Sequence, residues 1–342
     1  MSAWGHWLPP ALVGISLLAS ALIFLAGERR QLLRTTINIA AALLKLVLLG
    51  VLLRAVAAGE SFAWRLPLLP GLDLVLQVDP LMLLFSTLSA GLWLVTTVYA
   101  IGYLERSPHR ARFFGFFGLC VASTMGIAAA GNLFTFFVFY ELLTLATWPL
   151  VVHRGTPASI EGGRSYLRYT LAGSALMLAG LVWLHVLVGP QDFIARGLVS
   201  DVLDGDPWTQ RAIFLLIVLG LGVKAALVPL HGWLPKAMVA PAPVSALLHA
   251  VAVVKAGAFG IVRLVYDVFG PERVQALGMN EALAVMASVT ILYGSLMALR
   301  QDDLKKRLAY STVSQVSYIT LGAAIAGPLA TVGGMAHLVH QG

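Results

Sequence analysis

The sequence predicts an all-α, polytopic membrane protein, and three observations support that prediction. Apolar runs of about 20 residues, the length that crosses a bilayer as a helix, recur along the whole 342-residue chain. Hydrophobic residues make up 59% of the chain and charged residues only 11%, whereas soluble domains carry about 25% charged residues. Most of the charged residues also lie between the apolar runs. Together these features are typical of a bundle of membrane-spanning helices.

Hydropathy predicts ten full transmembrane helices and the beginning of an eleventh. The ten lie at 9–27, 35–58, 80–104, 112–130, 132–152, 165–189, 211–228, 242–266, 282–299 and 306–326, and the eleventh begins near 328. Residues 62–79 alternate in polarity around two prolines and a glycine, which predicts an external β-hairpin. The chain ends at Gly342 within an apolar run, so we expect a C-terminally truncated chain.

The positions of Lys and Arg predict that the N-terminus lies outside. In that orientation the inside loops contain more than twice as many cationic residues as the outside loops, as is typical of cytoplasmic loops. One outside loop is instead acidic and contains Asp192, Asp201, Asp204 and Asp206. No cationic residue precedes the first apolar run, which disfavours a cleaved signal peptide. We expect an integral protein of a bacterial inner (plasma) membrane in this orientation.

The composition also excludes several classes of function. The net charge is +7, but the cationic inside loops explain it, so we expect the lipid bilayer and not nucleic acid as a partner. The chain has one cysteine, Cys120, which excludes an iron–sulfur or thiolate metal site within it. Neither a Gly-rich phosphate-binding motif nor a nucleophile elbow occurs. We therefore predict no metal, no cofactor and no active site within the chain itself.

Three lysines and one glutamate lie inside the predicted helices: Lys45, Glu141, Lys224 and Lys255. A charge near the bilayer centre costs about 2.5–3.5 kcal/mol on insertion scales, so such residues usually face a partner and mark an ion pathway. We expect Glu141 to pair with Lys224 or Lys255. A structural ion pair that only fixes helix packing is the alternative. Lys45 has no partner that the sequence identifies, so it is left outside the predicted site.

Lys224 lies five residues before Pro229, which predicts that helix seven breaks at the proline. Proline removes a backbone donor and clashes with the carbonyl group four residues earlier. The freed carbonyl groups are tolerated in a bilayer only where they face protein or water, and broken helices line the ion sites of transporters. We therefore place Lys224 in the predicted pathway, and Pro229 and His231 at the helix break.

The eighth helix and the end of the chain supply the remaining candidates. Lys255 lies deep in the eighth helix and is the stronger of two candidates there. His249, six residues earlier, would lie roughly 240° away around a regular helix, and packing explains it equally well. His337 and His340 lie three residues apart on one helix face, where they could belong to a second polar site.

Four motifs together resemble the antiporter-like proton-translocating subunits of respiratory complex I, Mrp-type sodium/proton antiporters and membrane-bound hydrogenases. They are NLFTFFVFYE at 132–141, KAALVPLHGWLPK at 224–236, PAPVSALLHAVAVVKAG at 241–257 and DLKKRLAYSTVSQ at 303–315. The resemblance covers roughly residues 75–342. It is specific to the superfamily but does not separate its branches.

The resemblance implies two inverted five-helix repeats, each a half-channel with a broken helix. Residues 1–106 would then form helices one to three, 107–268 a complete first half-channel of helices four to eight, and 280–342 an incomplete second one. By resemblance, Glu141 is the helix-five glutamate, Lys224 the broken-helix lysine and Lys255 the connecting lysine. His249 and His337 match histidines of the family, whereas His340 lies one position early.

The resemblance also implies a function, with two alternatives. The leading hypothesis is a proton-translocating subunit of a larger membrane complex, in which protons move along Glu141, Lys224, Lys255 and His249 with bound water. Its partners would be other integral membrane subunits, and redox chemistry would belong to partners in an NADH:quinone oxidoreductase-like or hydrogenase-like translocase. An Mrp-type sodium/proton antiporter subunit, with sodium as a second candidate ion, is the alternative within the family. A non-transporting membrane scaffold is the alternative from another class.

Overall fold

The computed structural model describes residues 5–194, 197 and 206–341, and most of these residues are helical. Two of the acids of the predicted outside loop, Asp201 and Asp204, lie outside the described residues. In chain order the elements are α1 (Leu8–Ala26), α2 (Gln31–Ala57), β1 (Phe62–Leu69), β2 (Leu72–Val78), α3 (Pro80–Tyr103), α4 (Arg110–Ala129), α5 (Leu133–Val151), α6 (Pro157–Val188), α7 (Pro207–Lys224), α8 (Trp233–Ala237), α9 (Ala242–Ala246), α10 (Val253–Arg263), α11 (Pro271–Ala276), α12 (Met279–Leu299), α13 (Leu304–Ile325) and α14 (Pro328–His340). Short 3₁₀ turns lie at Gly5–Trp7 and Leu230–Gly232, and π-helical segments at Leu247–Val251 and Leu264–Phe269.

Within these described ranges, eight helical segments are long and apolar enough to cross a membrane. They are Gly5–Ala26, Gln31–Ala57, Pro80–Tyr103, Arg110–Ala129, Leu133–Val151, Pro157–Val188, Ala242–Phe269 and Met279–Leu299. The predicted class, an all-α polytopic membrane protein, is therefore confirmed. The number of crossings, predicted as ten, stays a prediction.

The surface of the outer helices is apolar. Leu25 of α1, Leu32 of α2 and Leu329 of α14 are 83%, 86% and 89% exposed. Soluble monomers rarely expose large contiguous apolar patches, whereas lipid-facing helices expose such side chains to acyl chains. The protein is an integral membrane protein, as predicted.

The chain forms two compact units. The first contains Met1–Ile160 and Ala240–Ala252, and the second contains Glu161–Val239 and Val253–Gly342. In the first unit α4 is buried along almost its whole length and packs against α1 and α5. The close approach of α5 depends on Gly126, where a Cβ atom would lie 2.6 Å from a ring carbon of Phe139.

Strands β1 and β2 form an antiparallel hairpin at the position predicted for one. Phe62 pairs with Val78, and an irregularity separates Pro67 from Leu69 near the turn, where Gly71 has a φ of +77°. A glycine suits this backbone conformation because it has no Cβ atom. Strand β2 also anchors the beginning of α5, because the Gly131 amide donates to the Val75 carbonyl at 2.8 Å.

Two predicted helix boundaries are wrong, for different reasons. Helix α6 begins at Pro157 and not near 165, because its first turns carry charged residues that hydropathy scores as loop. Proline at the first position of a helix is favoured, and the Thr156 hydroxyl accepts a hydrogen bond from the Ser159 amide at 3.2 Å. Helix α7 ends at Lys224 and not at 228, because Ala226 adopts a left-handed backbone conformation.

Candidate functional site

The break predicted in helix seven begins directly after Lys224, the last residue of α7. Ala226 has a φ of +57°, and this left-handed conformation ends the helix before Pro229 is reached. The Leu227 amide donates to the Gly222 carbonyl at 2.9 Å, and the Ala226 amide donates to the Val223 carbonyl at 3.2 Å. This is the Schellman pattern, in which glycine is the usual left-handed residue. The prediction of a break is correct, but its assignment to Pro229 is wrong, because the proline ring only prevents the helix from continuing.

Side chains satisfy backbone groups that the break exposes. The Trp233 indole N–H donates to the Val223 carbonyl at 2.7 Å. The Val228 amide donates to the Thr290 hydroxyl of α12 at 3.0 Å. Unpaired backbone groups are costly in a bilayer, so these two side chains help to hold the break open at membrane depth. Sequence reasoning missed both roles, although Trp233 lies within a motif that it singled out.

Helix α10 packs directly against the broken end of α7. A Cβ atom at Gly257 would lie 2.7 Å from the Leu221 carbonyl oxygen and 2.8 Å from the Lys224 carbonyl carbon. Lys255 lies two residues before this glycine. Both lysines are 0% exposed, so two helices in direct contact each carry a buried amine.

Lys255 has an unusual environment for a cation. Its Nζ atom is buried and has no hydrogen-bond partner within the described part of the chain. A buried charge is strongly unfavourable unless it is paired or hydrogen-bonded. Such an amine can serve as a proton carrier, because the loss of a proton removes the charge that is costly to bury.

His249 lies in the π-helical segment Leu247–Val251. The Ala252 amide donates to the Leu247 carbonyl, five residues earlier, at 3.0 Å, and the backbone then leaves helical geometry at Ala252 with φ −133° and ψ −71°. The predicted angle of roughly 240° between His249 and Lys255 assumed a regular helix, whereas the backbone between them is irregular, so that angle stays a prediction. Single π-helical turns are frequent at functional sites.

His231 lies in the 3₁₀ turn after the break and faces two tyrosines. Its ring centroid is 4.9 Å from that of Tyr293 on α12 and 6.2 Å from that of Tyr310 on α13. The His231 Nδ1 atom is buried and lacks a hydrogen-bond partner among the residues described. This aromatic group keeps the imidazole partly out of water, and the sequence offered no signal that would have found the tyrosines.

The remaining predicted residues lie elsewhere. Half-buried His337 packs beside Tyr318, with ring centroids 5.1 Å apart, whereas His340 is exposed. Half-buried Glu141 lies on α5 in the first unit, whereas Lys224 and Lys255 belong to the second. The predicted pairing of Glu141 with either lysine stays a prediction.

The beginning of α5 fixes the position of Glu141 along its helix. Asn132 caps α5 by accepting a hydrogen bond from the Thr135 amide at 2.7 Å, and its own amide donates to the Asp73 carbonyl at 3.0 Å. Asparagine is among the preferred N-cap residues. The helix that carries the glutamate is thus tied to the hairpin.

The structure also gives Lys45 a defined environment, which the sequence alone does not reveal. Lys45 is 0% exposed, donates a hydrogen bond to the Ser16 hydroxyl and lies over the Trp93 ring at 4.6 Å.

Within the described ranges there is no cluster of three or more His, Cys, Asp or Glu residues that could hold a metal ion.

Buried lysines near a broken helix in a helical membrane bundle are typical of ion-translocating membrane proteins. Residues 130–341 match the family model described as NADH:quinone oxidoreductase/Mrp antiporter, TM. Residues 71–114 match the model for the N-terminus of chain 5 of NADH-ubiquinone oxidoreductase (complex I). The chain therefore belongs to the NADH:quinone oxidoreductase/Mrp antiporter membrane-subunit family.

Two relatives and one solved structure illustrate the similarity. The chain is 35% identical over 335 residues to NADH-quinone oxidoreductase subunit N of Desulforudis audaxviator. This alignment covers 93% of the chain and 65% of the relative. It is 33% identical over 290 residues to a probable K⁺/H⁺ antiporter subunit of Rhizobium meliloti, in an alignment that covers 84% of the chain and 28% of the relative. A chain of the Mrp complex from Dietzia superposes with a TM-score of 0.83 at 27% identity. The superposition covers 97% of this chain and 36% of the Dietzia chain. The chain thus spans less than two thirds of the length of each of these proteins.

Proposed function

We propose that the chain is a proton-translocating subunit, or part of one, in a multi-subunit membrane complex. Protons move along Glu141, Lys224, Lys255 and His249, with water between them. The partners are other integral membrane subunits, because the relatives carry subunit names in respiratory and antiporter complexes.

One observation carries this proposal above the others. Gly257 places α10 against the broken end of α7, and each of these two helices carries a fully buried lysine. The Lys255 amine has no hydrogen-bond partner among the described residues, and burial without a partner disfavours a fixed charge. A group that gains and loses a proton can occupy the same place in either state.

The decisive experiment replaces Lys224 by Ala in the full-length complex, in sealed membrane vesicles. We expect coupled proton movement, followed with a pH-sensitive dye, to be lost while the complex still assembles on a native gel. The matched control is Lys236→Ala, since Lys236 lies in the same motif but is exposed. Proton movement that continues in the assembled Lys224→Ala complex would overturn the proposal.

A second variant tests the scaffold alternative, in which the buried charges serve packing alone. Replacing Glu141 by Gln and Lys224 by Met removes both charges but retains similar volumes. A scaffold would keep wild-type transport with this double substitution, whereas a proton pathway would lose it.

The coupled ion is tested with the same vesicles. The Rhizobium meliloti relative is named for K⁺/H⁺ antiport, so dye signals are compared in sodium, potassium and choline salts. We expect proton movement without a required metal cation. A signal that needs sodium or potassium would instead identify cation/proton antiport.

We also propose the bacterial plasma membrane as the location, with the N-terminus outside. The distribution of Lys and Arg between the loops supports this orientation. Cys120, the single cysteine, is buried, so Cys120→Ser gives a background for cysteines placed one at a time in the loops. An impermeant thiol reagent should label Glu60→Cys from outside in whole cells and should not label Lys306→Cys.

A further inference from the structure

The strongest unassigned feature is Lys45, a third buried amine, which lies outside the proposed pathway. It is 0% exposed in the middle of α2. Its partners are the Ser16 hydroxyl on α1 and the face of Trp93 on α3. Neither partner carries a negative charge, and no carboxylate lies within salt-bridge distance of Lys45 in the described part of the chain.

The helices packed against α2 bring few other titratable groups. Helix α1 contains no charged residue, and the titratable residues of α3 are Tyr99 and Tyr103, both exposed. Helix α4 contributes Arg110 and Arg112 at its beginning and Cys120 in its interior; the Cys120 thiol lies 3.5 Å from the Thr147 hydroxyl. The remaining charged residues of α2 are Arg34 and Arg54, near its two ends.

Lys45 stands at the end of a line of buried polar side chains on one face of α2. Arg34, Asn38 and Lys45 are spaced so that they lie within roughly 40° of one another around the helix. They are 2%, 1% and 0% exposed. We call these three residues the polar column. It rises about 16 Å along the axis, which is roughly half of the hydrocarbon thickness of a bilayer.

Several polar atoms of this region are buried and have no hydrogen-bond partner within the described ranges. They include Arg34 Nη1, Asn38 Oδ1 and the hydroxyl of Thr97, one turn from Trp93 on α3. Such atoms are normally satisfied by protein or by ordered water. They are therefore places where water molecules can bind and relay a proton.

The end of the polar column that is nearer to the α1–α2 turn reaches a half-exposed carboxylate. Glu28, in the turn between α1 and α2, lies 4.0 Å from Arg34 Nη1, and it accepts a hydrogen bond from the Ala111 amide at 2.9 Å. Its side chain is 49% exposed. Solvent at this end of the bundle thus contacts Glu28, which lies next to Arg34, the first residue of the polar column.

We propose that Lys45 is a second proton-binding site, filled along the polar column from the end of the bundle that carries Glu28. The protonated amine donates to Ser16 and is stabilised by the Trp93 ring, an interaction that strengthens away from water. When the amine loses its proton, Ser16 can rotate and donate to the nitrogen lone pair, since a hydroxyl group is both donor and acceptor. Both states have a partner, and the proton leaves through the same column.

The test uses Trp93 as a reporter in the full complex. A cation over an indole ring changes the fluorescence of that indole, so we expect one component of the tryptophan emission to change between mildly acid and mildly alkaline pH. This component should be lost in Lys45→Met, in Lys45→Gln and in Trp93→Phe. The component should persist in Lys224→Ala. The Lys45 proposal can therefore fail or succeed independently of the proposed function, which Lys224→Ala tests.

The route is tested by the rate and the side of the response. After a pH jump on the Glu28 side of sealed vesicles, the Trp93 component should respond at least about tenfold more slowly in Asn38→Leu than in the wild type. Thr36→Leu is the matched control, since Thr36 lies on the exposed face of the same helix. A jump on the opposite side should give no fast response.

Three results would overturn the proposal. The first is an emission that does not depend on pH in the wild-type complex, which would make Lys45 a permanently charged or permanently neutral packing residue. The second is a pH-dependent component that survives both Lys45 substitutions. The third is an equal rate in Asn38→Leu and Thr36→Leu, which would exclude the polar column as the route.

Discussion

Lys224 and Lys45 are both fully buried in membrane helices, yet the backbone around them differs. Lys224 ends a helix that is broken by a left-handed alanine, and Trp233 and Thr290 satisfy backbone groups of the break. Lys45 lies inside a continuous helix of 27 residues, and its partners are the Ser16 hydroxyl and the Trp93 ring. Burial alone therefore does not define the role of a membrane lysine.

The comparison separates two ways to make a buried amine tolerable. At the break, exposed backbone dipoles and nearby buried groups form a polar surrounding within the membrane, as in the ion sites of broken-helix transporters. In the continuous helix, side chains alone surround the amine: the Ser16 hydroxyl, the Trp93 ring and the polar column. The backbone there keeps its regular helical geometry. The first environment depends on close backbone packing, and the second depends on individual side chains.

The largest effect should come from the packing contact at the break. Gly257→Ala places a methyl group among backbone atoms of Leu221 to Ala225, which cannot move without disturbing α7. Overpacking usually costs about 1–3 kcal/mol, and we expect the upper part of that range together with the loss of transport. Thermal unfolding of the purified complex and dye-monitored proton movement measure the two effects.

A glycine near Lys45 provides the matched control. Gly50 of α2 has no heavy atom within 4 Å of a Cβ position, so Gly50→Ala should be neutral or slightly stabilising, since alanine favours helices. If Gly257→Ala unfolded at the wild-type temperature, the two regions would not differ in packing and the comparison would fail.

Two buried tryptophans sharpen the comparison at the level of single hydrogen bonds. Trp233 donates its indole N–H to the Val223 carbonyl, whereas the Trp93 Nε1 atom has no hydrogen-bond partner among the described residues. Trp233→Phe should therefore lower the free energy of unfolding by about 0.5–1.5 kcal/mol more than Trp93→Phe does, because the Val223 carbonyl keeps the Ala226 amide as a donor. Thermal melts of the two variants test this difference, because both substitutions remove the same atoms. Equal losses would mean that the indole cap does not stabilise the break.

The backbone conformation at the break predicts opposite effects at adjacent alanines. A left-handed residue other than glycine costs roughly 1–2 kcal/mol, so Ala226→Gly should raise stability, by at most about 1 kcal/mol after the entropy of glycine is included. Ala225 has helical angles, with φ −65° and ψ −6°, so Ala225→Gly should lower stability by about 1 kcal/mol. Melting temperatures that shift in the same direction would contradict the left-handed assignment of Ala226.

The sequence was sufficient for the fold class and for the identity of the buried lysines, because both follow from hydropathy and charge. It could not locate the break correctly, because the left-handed alanine carries no residue-type signal and Pro229 does. It gave no sign of the π-helical turn that carries His249, because nothing in the run 247–251 indicates such a turn.

Lys45 illustrates a different limit. Its partners Ser16 and Trp93 come from neighbouring helices at distant sequence positions, and serine and tryptophan in apolar runs are common. Only the packing of α1, α2 and α3 brings them to one point. The spacing of Arg34, Asn38 and Lys45 was present in the sequence, however, and a search for polar residues with helical periodicity would have found that line.

The smallest effect concerns His153, a half-buried base beyond the end of helix α5. His153 lies in the turn after α5 and packs edge-on against Phe113, with ring centroids 5.3 Å apart. Burial, reinforced by the positive charge of Arg112, lowers the pKa of His153 from 6.5 to about 4. The unfolded chain thus binds more protons than the folded chain between these two values, so the contribution of His153 to stability decreases as the pH falls from 6.5 towards 4. His153→Phe keeps the ring contact but removes the group that binds this proton. As the pH falls from 6.5 to 4, the melting temperature of the variant should therefore decrease less than that of the wild type. Above pH 7 the melting temperatures of the two proteins should change with pH in the same way. Parallel curves for the two proteins across the acid interval would show that His153 titrates normally in the folded state.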